Sequence, residues 1–128
     1  MSVPAGLYYT EEHEWVRVDG SMATIGISAH AQEALGDITY VELPAIETVV
    51  TQFKPIATVE SVKAASEVYA PISGKVVKVN ELLKKSPEVV NQSPYEKGWF
   101  AVLEIQSQDE LKNLMKSVDY EAYLKENA

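Results

Sequence analysis

Short alternations of apolar and polar residues fill most of the chain. Trp15-Val16-Arg17-Val18 alternates up to the turn pair Asp19-Gly20, and Met22-Ala23-Thr24-Ile25-Gly26-Ile27 returns, which predicts a β-hairpin. Asp37 to Leu43 alternates and stops at Pro44. Thr48 to Thr51, Ile56 to Glu60, Glu67 to Ile72 and Lys75 to Val79 are brief, rich in valine, isoleucine and threonine, and separated by turn residues. Trp99 to Ile105 reads as the last strand. Strands this short and this closely spaced predict an all-β barrel or sandwich rather than β-α-β units.

Helical signals are confined to small stretches. Thr10-Glu11-Glu12-His13 forms at most a single turn. Ser28 is an N-cap for a short helix over Ala29 to Leu35, stopped by Gly36. Asn80 to Leu83 predicts a helical turn, Ser86-Pro87 an N-cap with proline at the first helical position, and Asn91 to Gly98 a polar loop containing Pro94. In the tail, Ser107-Gln108-Asp109-Glu110 matches a capping box, and Leu111, Leu114, Met115 and Val118 fall on one helix face. Tyr120, Tyr123 and Leu124 predict a second short helical piece packing nearby. This apolar spacing is that of core packing rather than of a cofactor pocket.

The 128 residues predict one domain, with a β core over residues 7–106 and a helical segment over 107–126. Hydrophobic residues at 46% and charged residues at 23% are the balance of a soluble globular chain. A net charge of −8 argues against nucleic acid or an anionic membrane as partner and favours docking onto basic patches. The N-terminus has neither the charged and apolar regions of a secretory signal nor an arginine-rich transit pattern. The expected location is therefore cytoplasmic, or the mitochondrial matrix for a mature organellar chain.

Candidate chemistry is sparse. Without cysteine there is no disulfide, thiolate nucleophile or cysteine metal site. The two histidines, His13 and His30, lie in different elements, and no metal-ligand spacing recruits them. There is no Gly-x-Ser-x-Gly elbow, and the 6 glycines form no phosphate loop. Glu11, Glu12 and Glu14 around His13 form an acidic cluster of the kind that is ordinarily a solvated face. The expectation is a carrier or scaffold with no catalytic or metal-binding residues.

One stretch stands apart. Between the runs Ile56 to Glu60 and Glu67 to Ile72 lies a centre of small residues, Ser61, Ala64, Ala65 and Ser66, around Lys63. Runs joined this closely predict a hairpin with an uncrowded amine at its turn. An ordinary solvated loop lysine would look the same.

The sequence around it, Val59-Glu60-Ser61-Val62-Lys63-Ala64-Ala65-Ser66-Glu67-Val68-Tyr69-Ala70-Pro71-Ile72-Ser73-Gly74, closely resembles the H proteins of the glycine cleavage system. So do His13-Glu14-Trp15-Val16, Ala23-Thr24-Ile25-Gly26-Ile27, His30-Ala31-Gln32, Leu35-Gly36-Asp37 and Val41-Glu42-Leu43-Pro44. Val76-Val77-Lys78-Val79-Asn80, Ser86-Pro87-Glu88, Val90-Asn91, Ser93-Pro94-Tyr95 and Gly98-Trp99 extend the match, in family order, from about Leu7 to Tyr120.

The resemblance implies a mainly β fold, a lipoyl/biotinyl-type β-barrel-sandwich hybrid with short helices and a C-terminal helix. It implies lipoate in amide linkage to Lys63, with Glu60, Ser61, Val62 and Ala64 framing the attachment point. Glu60 and Glu67 would help a lipoate ligase or a lipoyl/octanoyl transferase recognise the hairpin. The partners implied are the pyridoxal-phosphate-dependent glycine decarboxylase, the tetrahydrofolate-dependent aminomethyltransferase and dihydrolipoyl dehydrogenase, which reoxidises the arm. Those enzymes catalyse, and this chain, expected as a monomer, carries the aminomethyl group of glycine between them. In the family the loaded arm folds back into a cleft, whose positions are matched here by Glu14 and Glu67. Position 34, histidine in some relatives, is Ala34.

One departure and three rivals bear on this reading. Family members commonly have glycine near the positions of Glu47 and Phe53, so a different turn geometry is expected over 45–55. A lipoyl domain of a 2-oxoacid dehydrogenase would show Asp-Lys-Ala around the lysine, but Val62 precedes Lys63 here. A biotin carrier would show Met-Lys-Met. A relay that donates lipoyl groups to 2-oxoacid dehydrogenase subunits remains the alternative role.

Overall fold

The computed structural model describes residues 3–127. Strands β1 (Tyr8–Tyr9), β2 (Glu14–Asp19) and β3 (Met22–Ile27) precede helix α1 (Ala29–Leu35). Strands β4 (Ile38–Glu42), β5 (Val49–Val50), β6 (Pro55–Ser61), β7 (Ala65–Tyr69) and β8 (Gly74–Val79) follow. Then come helices α2 (Leu82–Lys85) and α3 (Val89–Gln92), strand β9 (Ala101–Ile105), a 3-10 helix (Gln108–Asn113), β10 (Met115–Lys116) and α4 (Ser117–Glu126).

Among the described residues the strands form a seven-stranded sheet, ordered β10-β1-β2-β3-β9-β8-β5, and a three-stranded sheet, ordered β4-β6-β7. The pairings within both sheets are antiparallel, and neither sheet closes on itself. The sandwich expected from the strand spacing is thus the architecture found, with the short helices and C-terminal helix of the lipoyl-carrier class.

Inward residues of both sheets, among them Val16, Ile25, Val59, Val68, Val76 and Leu103, make one buried core. Alternation produces this directly: Val59 and Val68 are buried while Glu60 and Glu67 beside them are exposed. A second cluster, Leu7, Tyr9, Trp15 and Tyr120, fastens α4 to the seven-stranded sheet. Tyr9 and Tyr120 stack with ring centroids 4.4 Å apart. Each large side chain fully buried in this way contributes ~1.5–3 kcal/mol before losses in entropy are counted. Trp15 fits because its partner across β2–β3 is Gly26, where a β-carbon would lie 2.7 Å from the indole ring.

Helix α1 follows its predicted caps. Ser28 Oγ accepts from the Ala31 amide at 3.2 Å, and Gly36 ends the helix with φ 81.

The tail departs from its pattern. Ser107 makes no side-chain cap, because the Glu110 carboxylate accepts from the Ser73 amide (2.7 Å) and hydroxyl (2.8 Å) instead. The predicted apolar helix face is broken up: Met115 pairs with Tyr9 as strand β10, and Val118 is 74% exposed. A long-range ladder and a charge-assisted pair have overridden local helical periodicity. The turn predicted over 80–83 forms, with the Leu83 amide donating to the Asn80 carbonyl at 3.1 Å and Asn80 Oδ1 accepting from the Leu82 amide at 3.3 Å, and it runs on into α2. Ser86 ends α2 rather than capping the next helix, and α3 takes in Asn91 and Gln92 from the predicted loop.

Candidate functional site

The β6–β7 hairpin pairs Pro55 with Tyr69, Thr58 with Glu67, Val59 with Ser66 and Glu60 with Ala65. Its turn is closed by the Ser61 amide donating to the Ala64 carbonyl at 2.8 Å. Ser61 Oγ also accepts from the amides of Lys63 and Ala64, each at 3.2 Å. A serine at this position therefore supplies the turn chemistry that an Asn-Gly pair would otherwise provide. One longer tie, the Val62 amide to the Asp37 carbonyl at 3.1 Å, anchors the tip to the start of β4.

Lys63 is exposed and, among the described residues, makes no ion pair. Its stem passes Gly36, where a β-carbon would lie 3.5 Å from Lys63 Cε. That distance is an ordinary van der Waals contact, so what Gly36 itself supplies is its φ of 81, which ends α1. Val62, beside it, is 67% exposed. Glu60 and Glu67 are exposed on the outer face of the three-stranded sheet, in rows with Tyr40 and with Glu42 and Thr58. The structure thus brings Glu60, Ser61, Val62, Lys63 and Ala64 together at one tip.

Glu14 and Glu67 line different depressions. Glu67 lines one of about 370 Å³ with Glu42, Pro55 and Thr58. Glu14 lines one of about 510 Å³ with Tyr9, Phe53, Tyr69 and Met115, together with Thr10, Glu11, Glu12 and Asn113. Nor is Glu14 part of a solvated acidic face, since it is buried while Glu11 and Glu12 are exposed. One Glu14 oxygen accepts from the Thr10 hydroxyl and the other from the Tyr69 amide at 3.1 Å. Burial raises its pKa to about 7, against the lowering effect of those two hydrogen bonds; the nearby Glu12 adds a smaller upward push.

Next to it, His13 has φ 75 and sits 4.5 Å from the His30 ring, with Nδ1 2.8 Å from the Tyr120 hydroxyl. Burial, followed by the neighbouring His30, holds His13 below the usual histidine range. The Tyr120 hydroxyl also meets Ser28 Oγ at 2.8 Å, and burial pushes its pKa up to about 12. This cluster joins the C-terminal helix to the capped start of α1. No group of three or more His, Cys, Asp or Glu residues among those described can hold a metal.

The stretch over 45–55 corrects one expectation. Glu47 and Phe53 adopt φ 81 and 67, the left-handed conformation glycine takes freely. The side chains are accommodated in a glycine-like turn instead of changing it. Hydrogen bonds hold the geometry, Glu47 N to Val76 O and Phe53 N to Ala70 O, both at 2.7 Å. Phe53, Tyr69, Thr10 and Asn113 were not anticipated beside Glu14. The signal for Phe53 was the family resemblance, which implies a glycine near that position.

The family model described as glycine cleavage H-protein matches residues 7–127. The chain belongs to the glycine cleavage H-protein family. It is 53% identical over 126 residues to the glycine cleavage system H protein of Geobacillus sp. (strain WCH70), covering 98% of this chain and 99% of that one. Its identity to the corresponding protein of Brevibacillus brevis is 52% over 126 residues, 98% of this chain and 100% of the relative. The fold also matches the crystal structure of a glycine cleavage system H protein from Mycobacterium marinum, with TM-score 0.84, 29% identity and 98% of each chain covered. Family members are carrier components of the system, and this chain has the family's length and fold.

Proposed function

We propose that the chain carries lipoate in amide linkage to Lys63 Nζ and shuttles the aminomethyl group of glycine within the glycine cleavage system. The observation that carries this is Lys63 itself, an exposed lysine with no ion pair among the described residues, held at a tight hairpin tip by Ser61, in a member of the family. When bound, lipoate supplies the disulfide and dithiol chemistry, and the chain supplies presentation. Amide formation would remove the lysine charge, and a tethered group is kept at high local concentration for each partner.

The chain's own residues have three tasks in this reading. Ser61 fixes the turn, so the amine projects from a rigid base. Glu60 and Glu67 give the attaching enzyme, a lipoate ligase or lipoyl/octanoyl transferase, a carboxylate-marked face. Glu14 provides a buried carboxylate that can hold a terminal ammonium by a charge-assisted hydrogen bond once ionised. The glycine decarboxylase, aminomethyltransferase and dihydrolipoyl dehydrogenase are the partners in this scheme. They perform the catalysis, and the chain works in the cytoplasm as a single monomeric carrier domain. The relatives' names favour the shuttle over a lipoyl relay.

The test is Lys63→Arg in a system reconstituted from glycine, the three enzymes and cofactors. We expect glycine-dependent NADH formation to vanish while the fold persists. Turnover by the variant would overturn the swinging-arm reading.

A further inference from the structure

We propose that His13 is an acid-sensitive latch on the C-terminal helix: with its ring protonated, α4 comes away from the body of the fold. The proposal is independent of what Lys63 carries. An isolated helix shorter than ~12–15 residues is marginal in water, and α4 has 10. Its N-cap, Lys116, makes no side-chain cap, and Tyr120 is its one buried residue. Such a unit opens more readily than the core. Its docking is concentrated on a single side chain. The Tyr120 ring stacks on Tyr9, and the hydroxyl lies 2.8 Å from His13 Nδ1 and 2.8 Å from Ser28 Oγ. A further bond, from the Tyr123 hydroxyl to the Glu11 carbonyl at 3.2 Å, is exposed.

The backbone of His13 is fixed. Its amide donates to the Thr10 carbonyl at 3.1 Å and its carbonyl accepts from the Ser28 amide at 2.9 Å, which holds φ at 75, a conformation that a β-carbon crowds. Strain kept at the contact between two elements points to a use for the ring it orients. Facing that ring are His30 from α1, at 4.5 Å between centroids, and Tyr120 and Tyr123 from α4, at 5.8 and 6.1 Å. On its own segment, Glu11 and Glu12 are exposed and Glu14 is engaged by Thr10 and Tyr69. Nearby, the Tyr95 hydroxyl accepts from the Ala29 amide. Among the described residues no carboxylate pairs with His13. The neutral ring suits this place, because a bare Nδ1 accepts the Tyr120 proton. The imidazolium can only donate, and it would stand beside His30 with no counter-charge. Burial first and His30 second accordingly hold His13 below its ordinary 6.5. Opening hydrates the ring and binds one proton, so docking of α4 is firmest above pH 6.5 and weakens as pH falls below it. Glu14, with its raised pKa, acts in the opposite sense, and a variant without His13 separates the two.

The experiment is amide hydrogen exchange by NMR on the full chain and on His13→Asn, at about pH 7.5 and about pH 5.5, with intrinsic exchange rates divided out. Asparagine keeps an acceptor near the place of Nδ1 and tolerates a left-handed backbone, but it takes up no proton. Relative to the variant, opening at the Tyr120 to Leu124 amides of the parent is expected to rise roughly threefold or more as pH falls across that range. Those amides should also open well ahead of the core amides of Val76 and Leu103. A ratio of parent to variant that stays constant with pH overturns the latch. So does protection of α4 equal to that of the core at both pH values, which would mean that the helix leaves only when the whole fold unfolds. Titration of the His13 ring proton in the parent needs no variant: a midpoint below pH 6.5 supports the latch, and one at or above it refutes it.

Discussion

At its tip the β6–β7 hairpin holds Lys63 with local bonds from Ser61 and one longer tie, Val62 to Asp37, and its side chains there are exposed. At its base the same hairpin runs into Tyr69, whose amide serves the buried Glu14, and into Ala70, which clasps the strained Phe53. The tip gains its use from what is missing: among the described residues it has no ion pair and no side chain on a left-handed backbone. The base gains its use from what has been forced together, a desolvated carboxylate and an aromatic residue in a left-handed turn. Presenting an amine requires open space, and sheltering a polar group requires a wall that the fold must hold in place. The difference teaches that the two ends should respond oppositely to substitution, with stability sensitive at the base and indifferent at the tip.

The largest stability effect expected at the base concerns Glu14. Its pKa rises from an ordinary 4.5 to about 7 on folding, so the folded state binds the proton more tightly. The associated stability is fully present below pH 4.5 and lost as pH rises through 7, a fall of roughly 3 kcal/mol from this group alone. Denaturant titrations of the parent and of Glu14→Gln between those limits should give profiles that converge as pH falls. Parallel profiles would mean that Glu14 is solvated after all.

Next in size is Glu110→Ala, which removes both hydrogen bonds to Ser73 and leaves its buried amide without that acceptor. A loss of about 2 kcal/mol in unfolding free energy is expected. Glu47→Gly should act in the other direction. It relieves a left-handed backbone at the cost of one exposed 3.8 Å ion pair with Lys75, for a gain of up to ~1 kcal/mol. A destabilised Glu47→Gly would show that the side chain, not the backbone, governs that turn. Smallest is Val62→Ser at the tip, where 67% exposure predicts a change within ~0.5 kcal/mol by the same titration.

The tip was readable from sequence because its chemistry is local. Small residues between two β-patterned runs gave the hairpin, and Ser28 and Gly36 marked both ends of α1. The base was not readable because its partners are far apart in the chain. Tyr69 lies well beyond Glu14, and nothing in an acidic cluster of three glutamates indicates which one the fold will bury. For the same reason Ser107 and Glu110 looked like a capping box. Their spacing was right, but Ser73 offered Glu110 two donors and won. Met115 fits a helical stripe equally well, and only the ladder with Tyr9 makes it a strand. The family resemblance supplied what local pattern lacked, naming Glu14 and Glu67 as cleft positions; in the structure Glu14 lines one depression and Glu67 another.

The central claim, that the open tip exists to carry a covalent group, is tested most directly by mass. The protein is incubated with lipoate, ATP and a lipoate ligase, digested, and its peptides mapped. The account predicts an increment of one lipoyl group on the peptide containing Lys63 and on no other lysine. An increment elsewhere, or none at all, would contradict it.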